Sequence, residues 1–265
     1  MITIGNMANS PAYAMAGLLV GLLVGMTGVG GGSLMTPLLV LLFGFHPTTA
    51  VGTDLLFAAV TKSVGTTIHS AGKTVEWRIV RRLATGSVPA TLVGVLAIGE
   101  LGVKSPVVTT LISLTIGIAL VLCAVSLLFK EWIVAALNRK FPGFGENAPP
   151  WVTVAVGVVL GLLVSLSSVG AGALGTVALI ILYPRLPLVR IVGSDIAHAV
   201  PLTLLAGLGH LYLGTIDFSL LGALLLGSVP GIVIGSLLAR HAPDHVLKTG
   251  LGIILGLVGV RMLLK

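Results

Sequence analysis

Charge is what this chain of 265 residues has least of: 15 Lys and Arg and 8 Asp and Glu, 9% of the total. A soluble chain carries about a quarter of its residues charged, so a water-soluble domain is excluded, and with it disordered, collagen-like and disulfide-scaffold classes. Cysteine is equally scarce. Cys123 stands alone in an apolar stretch, cannot form an internal disulfide, fits no metal pattern and reads as a packing residue. Catalytic signatures are missing as well. No Gly-x-x-x-x-Gly-Lys-Ser/Thr loop is present to take ATP, and neither His-Glu-x-x-His nor paired cysteines suggest a metal hydrolase. Gly28-x-Gly30 lies inside an apolar segment without a strand or a ribose-binding acid, so it is no dinucleotide fingerprint. No nucleophile stands at workable spacing from a base, and no enzyme activity, cofactor or metal is expected. The first eleven residues hold no Lys or Arg, so insertion by the chain's own helices is expected rather than a cleavable signal.

What is present is apolar surface, 56% of the residues with a mean hydropathy of +1.14. This predicts an all-α integral membrane protein whose partner is the lipid bilayer. The net charge of +7 does not point to nucleic acid, because the basic residues form no run and sit between apolar segments.

An internal repeat runs through the chain at an offset of 140 or 141. Thr27-Gly28-Val29-Gly30-Gly31-Gly32 aligns with Ser167-Ser168-Val169-Gly170-Ala171-Gly172, and Pro47 with Pro187. Gly52-Thr53-Asp54 aligns with Gly193-Ser194-Asp195, His69 with His210, and Gly86-Ser87-Val88-Pro89 with Gly227-Ser228-Val229-Pro230. Shared apolar composition alone does not place Asp, His and Pro in register. Each half divides into five apolar segments, about 12–28, 33–44, 51–70, 79–99 and 106–129, then 151–168, 173–183, 192–212, 218–239 and 246–264. Residues 1–129 and 151–265 are thus two transmembrane repeats, joined by a polar cytoplasmic linker at 130–150 that ends in Pro149-Pro150.

A full crossing needs about 20 residues, and the second segment of each half is too short. If the glycine breaks are turns, each first pair of segments is a hairpin and each half makes an odd number of passes, so the halves are inverted. One face then receives Lys73, Arg78, Arg81, Arg82, Lys130, Arg139, Lys140, Arg185, Arg190, Arg240 and Lys248, and the other only Lys104, Arg261 and Lys265. If each pair is instead one broken crossing, the halves are parallel and the charges divide more evenly. The uneven division obeys the positive-inside rule better, with both termini outside and Trp77, Trp132 and Trp151 anchoring the cytoplasmic boundary.

Broken helices in matching positions of inverted halves mark transporter binding sites, since unwound backbone at membrane depth must line protein or a cavity. The two breaks are expected to meet near the midplane. Helices restarting at Ser33 and Ala173 present free N–H groups to an anion, and Thr27, Ser33, Ser167 and Ser168 add hydroxyls. Tight packing of small residues is the plainer account of one glycine cluster, but two in register favour a site.

Asp54 and Asp195 follow Gly52-Thr53 and Gly193-Ser194; capping of the third segment of each half is the plainer role for the aspartates, and Thr53, Asp54, Ser194 and Asp195 also count as substrate-binding candidates beside the breaks. Lys62 lies midway along that segment, where a cation costs about 2.5–3.5 kcal/mol on insertion scales. Its counterpart is Thr203, so the repeat does not explain it. Pairing with Asp54, about 12 Å away by helical rise, is disfavoured. An electrostatic partner for an anion, a static salt bridge to Asp195, and snorkelling to a boundary all stay open. His198 follows Asp195 by three residues on one face. A packed, hydrogen-bonded role is the plainer one, and a proton relay with Asp195 is the alternative. His69 and His210 read as C-terminal caps.

At Gly28-Val29-Gly30-Gly31-Gly32-Ser33, Pro37 and Ala50-Val51-Gly52-Thr53-Asp54 the chain resembles the TauE/SafE family of sulfite exporters and anion permeases. The resemblance covers nearly the whole chain. It implies a carrier of sulfite, sulfoacetate or a related organosulfur anion in the bacterial inner membrane. Ala171 departs from the pattern, standing where the first half has Gly31. The resulting expectation is a secondary exporter working by alternating access, in which the breaks hold the anion, Lys62 offsets its charge, and Asp195 with His198 couples protons. The alternatives are an anion channel and an importer of another small carboxylate or sulfur anion, and oligomerisation is open.

Overall fold

The computed structural model describes residues 10–27, 32–71, 73–140, 149–238 and 244–264. Every regular element among them is helical: α1 (Ser10–Thr27), α2 (Gly32–Leu41), α3 (Pro47–Ala71), α4 (Trp77–Leu101), α5 (Pro106–Leu128), α6 (Lys130–Lys140), α7 (Pro150–Ser167), α8 (Ala173–Leu182), α9 (Leu188–Tyr212), α10 (Phe218–Leu238) and α11 (Asp244–Leu263). Within the described residues, α4, α5, α7, α9 and α10 are long and apolar enough to cross a membrane, and α1, α8 and α11 contain shorter apolar stretches. Helices suit this composition because each satisfies its own backbone hydrogen bonds in hydrocarbon.

The ten apolar segments all appear as helices, with two departures in detail. The expected linker starts as a helix, α6, whose Glu131 lies in its first turn and Arg139 and Lys140 in its last, the arrangement the helix dipole favours. Helices α3 and α9 begin at Pro47 and Leu188, four residues before the apolar runs at 51 and 192. Proline's fixed φ and missing N–H suit a helix start. Asp54 and Asp195 therefore lie seven residues inside their helices, and the capping role expected for them is wrong.

Two helix pairs pack backbone to backbone. Gly17 and Gly21 of α1 meet Leu224 and Ser228 of α10, and Gly231 and Gly235 return the contact to Leu18 and Leu22. Gly157 and Gly161 of α7 meet Leu83 and Ser87 of α4 in the same way. Rising numbers pair with rising numbers, so each pair runs parallel. Small residues at such seams allow the close approach by which helices associate in lipid.

Two other pairs run antiparallel. In α3 and α9, Gly52 meets His210, Leu56 meets Gly207 and Gly65 meets Ile196. In α5 and α11, Gly117 meets Leu263, Val121 meets Gly259 and Leu128 meets Gly252. Ile112, Ile116, Leu120 and Cys123 of α5 are fully buried in the central core with Val164, Leu202 and Leu255. Cys123 is thus a packing residue, as expected.

Hydrogen bonds fix the two ends of the bundle. At one end Arg190 pairs with Glu76 at 2.7 Å, and Tyr183 reaches Thr153 at 2.8 Å and Arg82 at 3.5 Å. The exposed Trp77 and Trp151 start α4 and α7 at this end. At the other end Thr48 donates to the Val103 carbonyl, His46 meets Thr109, and the Asp217 N–H donates to Thr53 Oγ1 at 3.1 Å.

Candidate functional site

Between α7 and α8 the backbone leaves the helix at Ser168, which is left-handed at φ 58°, and passes Gly170 and Gly172 at φ 123° and 128° before α8 starts at Ala173. Positive φ at both glycines accounts for the spacing Gly170-x-Gly172. The expected second break is therefore present where the sequence places it. In the first half, Gly28, Gly30 and Gly31 lie outside the described residues, as do the side chains of Thr27 and Ser33; α2 restarts at Gly32.

The second break rests on the first half. Lys62, 6% exposed, extends from α3 and donates to the Ala171 carbonyl at 3.0 Å. Departure of the chain from helix frees that carbonyl. Lys62 also interacts electrostatically with Asp195 and, more weakly, with Asp54. It therefore does not snorkel. Ser168, beside the Asp54 carboxylate, has a buried hydroxyl without a well-formed hydrogen bond.

The two aspartates have matching surroundings. Thr36 Oγ1 on α2 donates to Asp54 Oδ2 at 2.5 Å, and Thr176 Oγ1 on α8 donates to Asp195 Oδ2 at 3.0 Å. In each carboxylate the other oxygen, Oδ1, is buried without a partner. Asp54 is 0% and Asp195 1% exposed. The preceding hydroxyls match as well. Thr53 Oγ1 accepts the Asp217 N–H, and Ser194 Oγ accepts the Glu76 N–H at 2.8 Å while donating to the Arg190 carbonyl. Thr53 and Ser194 thus tie each third helix to the other half.

At the second break part of the main-chain cradle is already filled. The Gly172 backbone hydrogen-bonds the Asp195 carboxylate, and Gly175 lies so close to it that a Cβ there would overlap Oδ1. Gly175 N–H bonds the Gly170 carbonyl and Thr176 N–H the Gly172 carbonyl. Ser167 Oγ donates to the Leu163 carbonyl at 2.6 Å and accepts from Val169 N–H. A carboxylate of the protein therefore sits where the sequence suggests an external anion.

His198 Nε2 meets Ser87 Oγ on α4 at 2.8 Å, while Nδ1 is buried and unpartnered. His210 does not cap its own helix alone; it contacts Thr215 and the Ser165 carbonyl of α7. The His69 side chain lies outside the described residues. Sequence reasoning passes over Thr36, Thr176, Gly175 and Ser87. The repeat holds one usable signal, since Thr36 and Thr176 are 140 residues apart and thus in register.

Two open cavities lie elsewhere. One of about 290 Å³ is lined by leucines of α2 and by Leu255, Val258 and Arg261 of α11, and another borders Trp132 and Arg139 of α6. Neither is lined by Lys62, Asp54 or Asp195, which are closed over by helix.

The chain is similar to known proteins. A family model described as sulfite exporter TauE/SafE matches residues 13–262. A probable membrane transporter protein, YjnA of Bacillus subtilis, is 37% identical over 218 residues, 80% of this chain and 83% of that protein. A second probable membrane transporter protein of that bacterium, YunE, is 38% identical over 68 residues, 26% of this chain and 25% of its own. No solved structure matches. With all but its extremities matched, the chain belongs to the sulfite exporter TauE/SafE family.

Proposed function

We propose that the protein is a secondary transporter of the bacterial inner membrane that exports a small sulfur-containing anion, sulfite or an organosulfonate, by alternating access. The observation that carries this reading is Lys62: a buried ammonium, spanning from one half to the unwound backbone of the other, next to two carboxylates. A cation so placed is costly in lipid unless it has a task or a partner. An anion that binds there takes the place of the Ala171 carbonyl as the ammonium's partner.

Residues 1–129 and 151–265 act as two inverted repeats and 130–150 as their cytoplasmic linker. Support comes from the antiparallel packing of α3 on its counterpart α9 and of α5 on α11. The Glu76–Arg190 pair adds to it, since the parallel alternative puts those residues on opposite faces. Substrate is held at the meeting of the breaks. Thr27, Gly28, Gly30, Gly31, Gly32 and Ser33 contribute from one half, and Ser167, Ser168, Gly170, Ala171 and Gly172 from the other. Lys62 supplies the positive charge. A negative cell interior contributes about 2.3 kcal/mol per charge per 100 mV toward moving an anion out, so export needs no ATP.

The test is sulfite flux into liposomes containing the purified protein. Saturable flux, accelerated by sulfite on the far side and abolished by Lys62→Ala, is the expected result. Flux that never saturates and ignores far-side sulfite would make the protein a channel. Unchanged flux in Lys62→Ala would remove the lysine from the mechanism.

A further inference from the structure

One ammonium, Lys62, already serves two carboxylates, and an added anion competes with them for it. Asp195 faces Lys62 from α3, Thr176 from α8 and the Cys123 thiol from α5, and His198, three residues further along the same helix, faces Lys62 as well. Asp54 faces the same lysine, Thr36 from α2 and Ser168 from the second break. The other nearby charges are committed elsewhere, Glu76 to Arg190 at the end of the bundle and Asp217 to the start of α10 through Leu220 N–H. Among the described residues, Lys62 is therefore the one cation serving two buried carboxylates. An anion that takes the ammonium leaves Asp195, its stronger partner, without a counter-charge, and an uncompensated carboxylate is not stable in such a place.

Both aspartates offer an unpartnered carboxylate oxygen, but among the described residues only Asp195 has a buried histidine one turn along its own helix. Asp195 Oδ1 and His198 Nδ1 are both buried and unpartnered, one helical turn apart on α9, and His198 Nε2 continues to Ser87 on α4. In the first half, Phe57 occupies the position of His198, so Asp54 has no such neighbour.

Resting on the carrier reading above, we propose that Asp195 is a proton-binding site coupled to the anion: when the anion engages Lys62, Asp195 gains a proton by way of His198, and the two cross together. The carboxylate oxygen Oδ1 takes the proton, and His198 returns to neutral after passing it on. A monovalent anion then moves with no net charge and gains nothing from the membrane potential, so the electrical drive acts only on divalent sulfite, through one negative charge in place of two.

Titration calorimetry of the purified full-length protein with sulfite tests this, run in buffers of different ionisation enthalpy so that bound protons are counted. The wild-type protein takes up about one proton per sulfite beyond sulfite's own titration, and its Kd rises about tenfold per pH unit once Asp195 is ionised, as one linked proton requires. Asp195→Asn takes up none, and its Kd is flat with pH apart from the contribution of sulfite. His198→Phe, which copies the first half, keeps the uptake at equilibrium but slows proton-linked flux in liposomes. Wild-type binding without protein-borne uptake overturns the coupling while leaving the carrier intact. Failure of sulfite, thiosulfate, sulfoacetate and simple carboxylates alike to bind overturns the carrier reading, and the proton site with it.

Discussion

The ammonium of Lys62 lies 3.0 Å from the carbonyl oxygen of Ala171, so a side chain from the first half holds the unwound backbone of the second. One contact thereby joins the two most expensive features a membrane protein can bury, a charge and a non-helical turn, and each satisfies the other.

Replacing that lysine with an apolar residue of similar length removes the partner of a buried charge cluster. Lys62→Met is expected to destabilise the fold by about 3–5 kcal/mol, read as a lower thermal midpoint in detergent. The double variant Lys62→Met, Asp195→Asn recovers part of the loss. Wild-type stability in the single variant would show that the lysine does not compensate the aspartates.

The threonine donors are expected to matter equally in both halves. Thr36→Val and Thr176→Val each keep the side chain's shape but leave a buried carboxylate oxygen without its donor, which costs about 1–3 kcal/mol. Serine at either position keeps most of the stability. A large loss at one site and none at the other would mean that the matching bonds to Asp54 and Asp195 are not equivalent in energy.

Gly175→Ala inserts a methyl group against the Asp195 carboxylate. Overpacking of this kind costs about 1–3 kcal/mol, and sulfite flux should fall along with stability. Gly222, on α10 with open space at the corresponding point, serves as the control, and Gly222→Ala should match wild type in both measurements.

Topology is checked by labelling single cysteines at exposed positions with a reagent that does not cross the membrane. Lys73→Cys should react only from the cytoplasmic side and Tyr212→Cys, at a position 92% exposed, only from outside. Cys123 is buried and stays silent. Labelling of both from one side would favour parallel halves.

The helices and the second break were legible because apolar runs and glycine spacing report directly on backbone conformation. Asp54 reads as a cap as long as the third segment is taken to start with its apolar run at 51, whereas the helix itself opens four residues earlier at Pro47. Thr36 and Asp54 were not connected, since their bond links two helices 18 residues apart and depends on a packing that no local pattern encodes. Lys62 was legible as an anomaly. Its carbonyl partner was not, because every residue has a carbonyl and only tertiary structure says which one is free.

Thr203 occupies the place where a second lysine would stand at the offset of 141, so the two halves are not interchangeable. A molecule assembled from two first halves would carry two ammonium groups for two aspartates. One assembled from two second halves would carry two aspartates and two histidines around an empty centre. The natural pairing alone yields an odd number of charges, and a protein with an odd charge at its heart can tell its two sides apart.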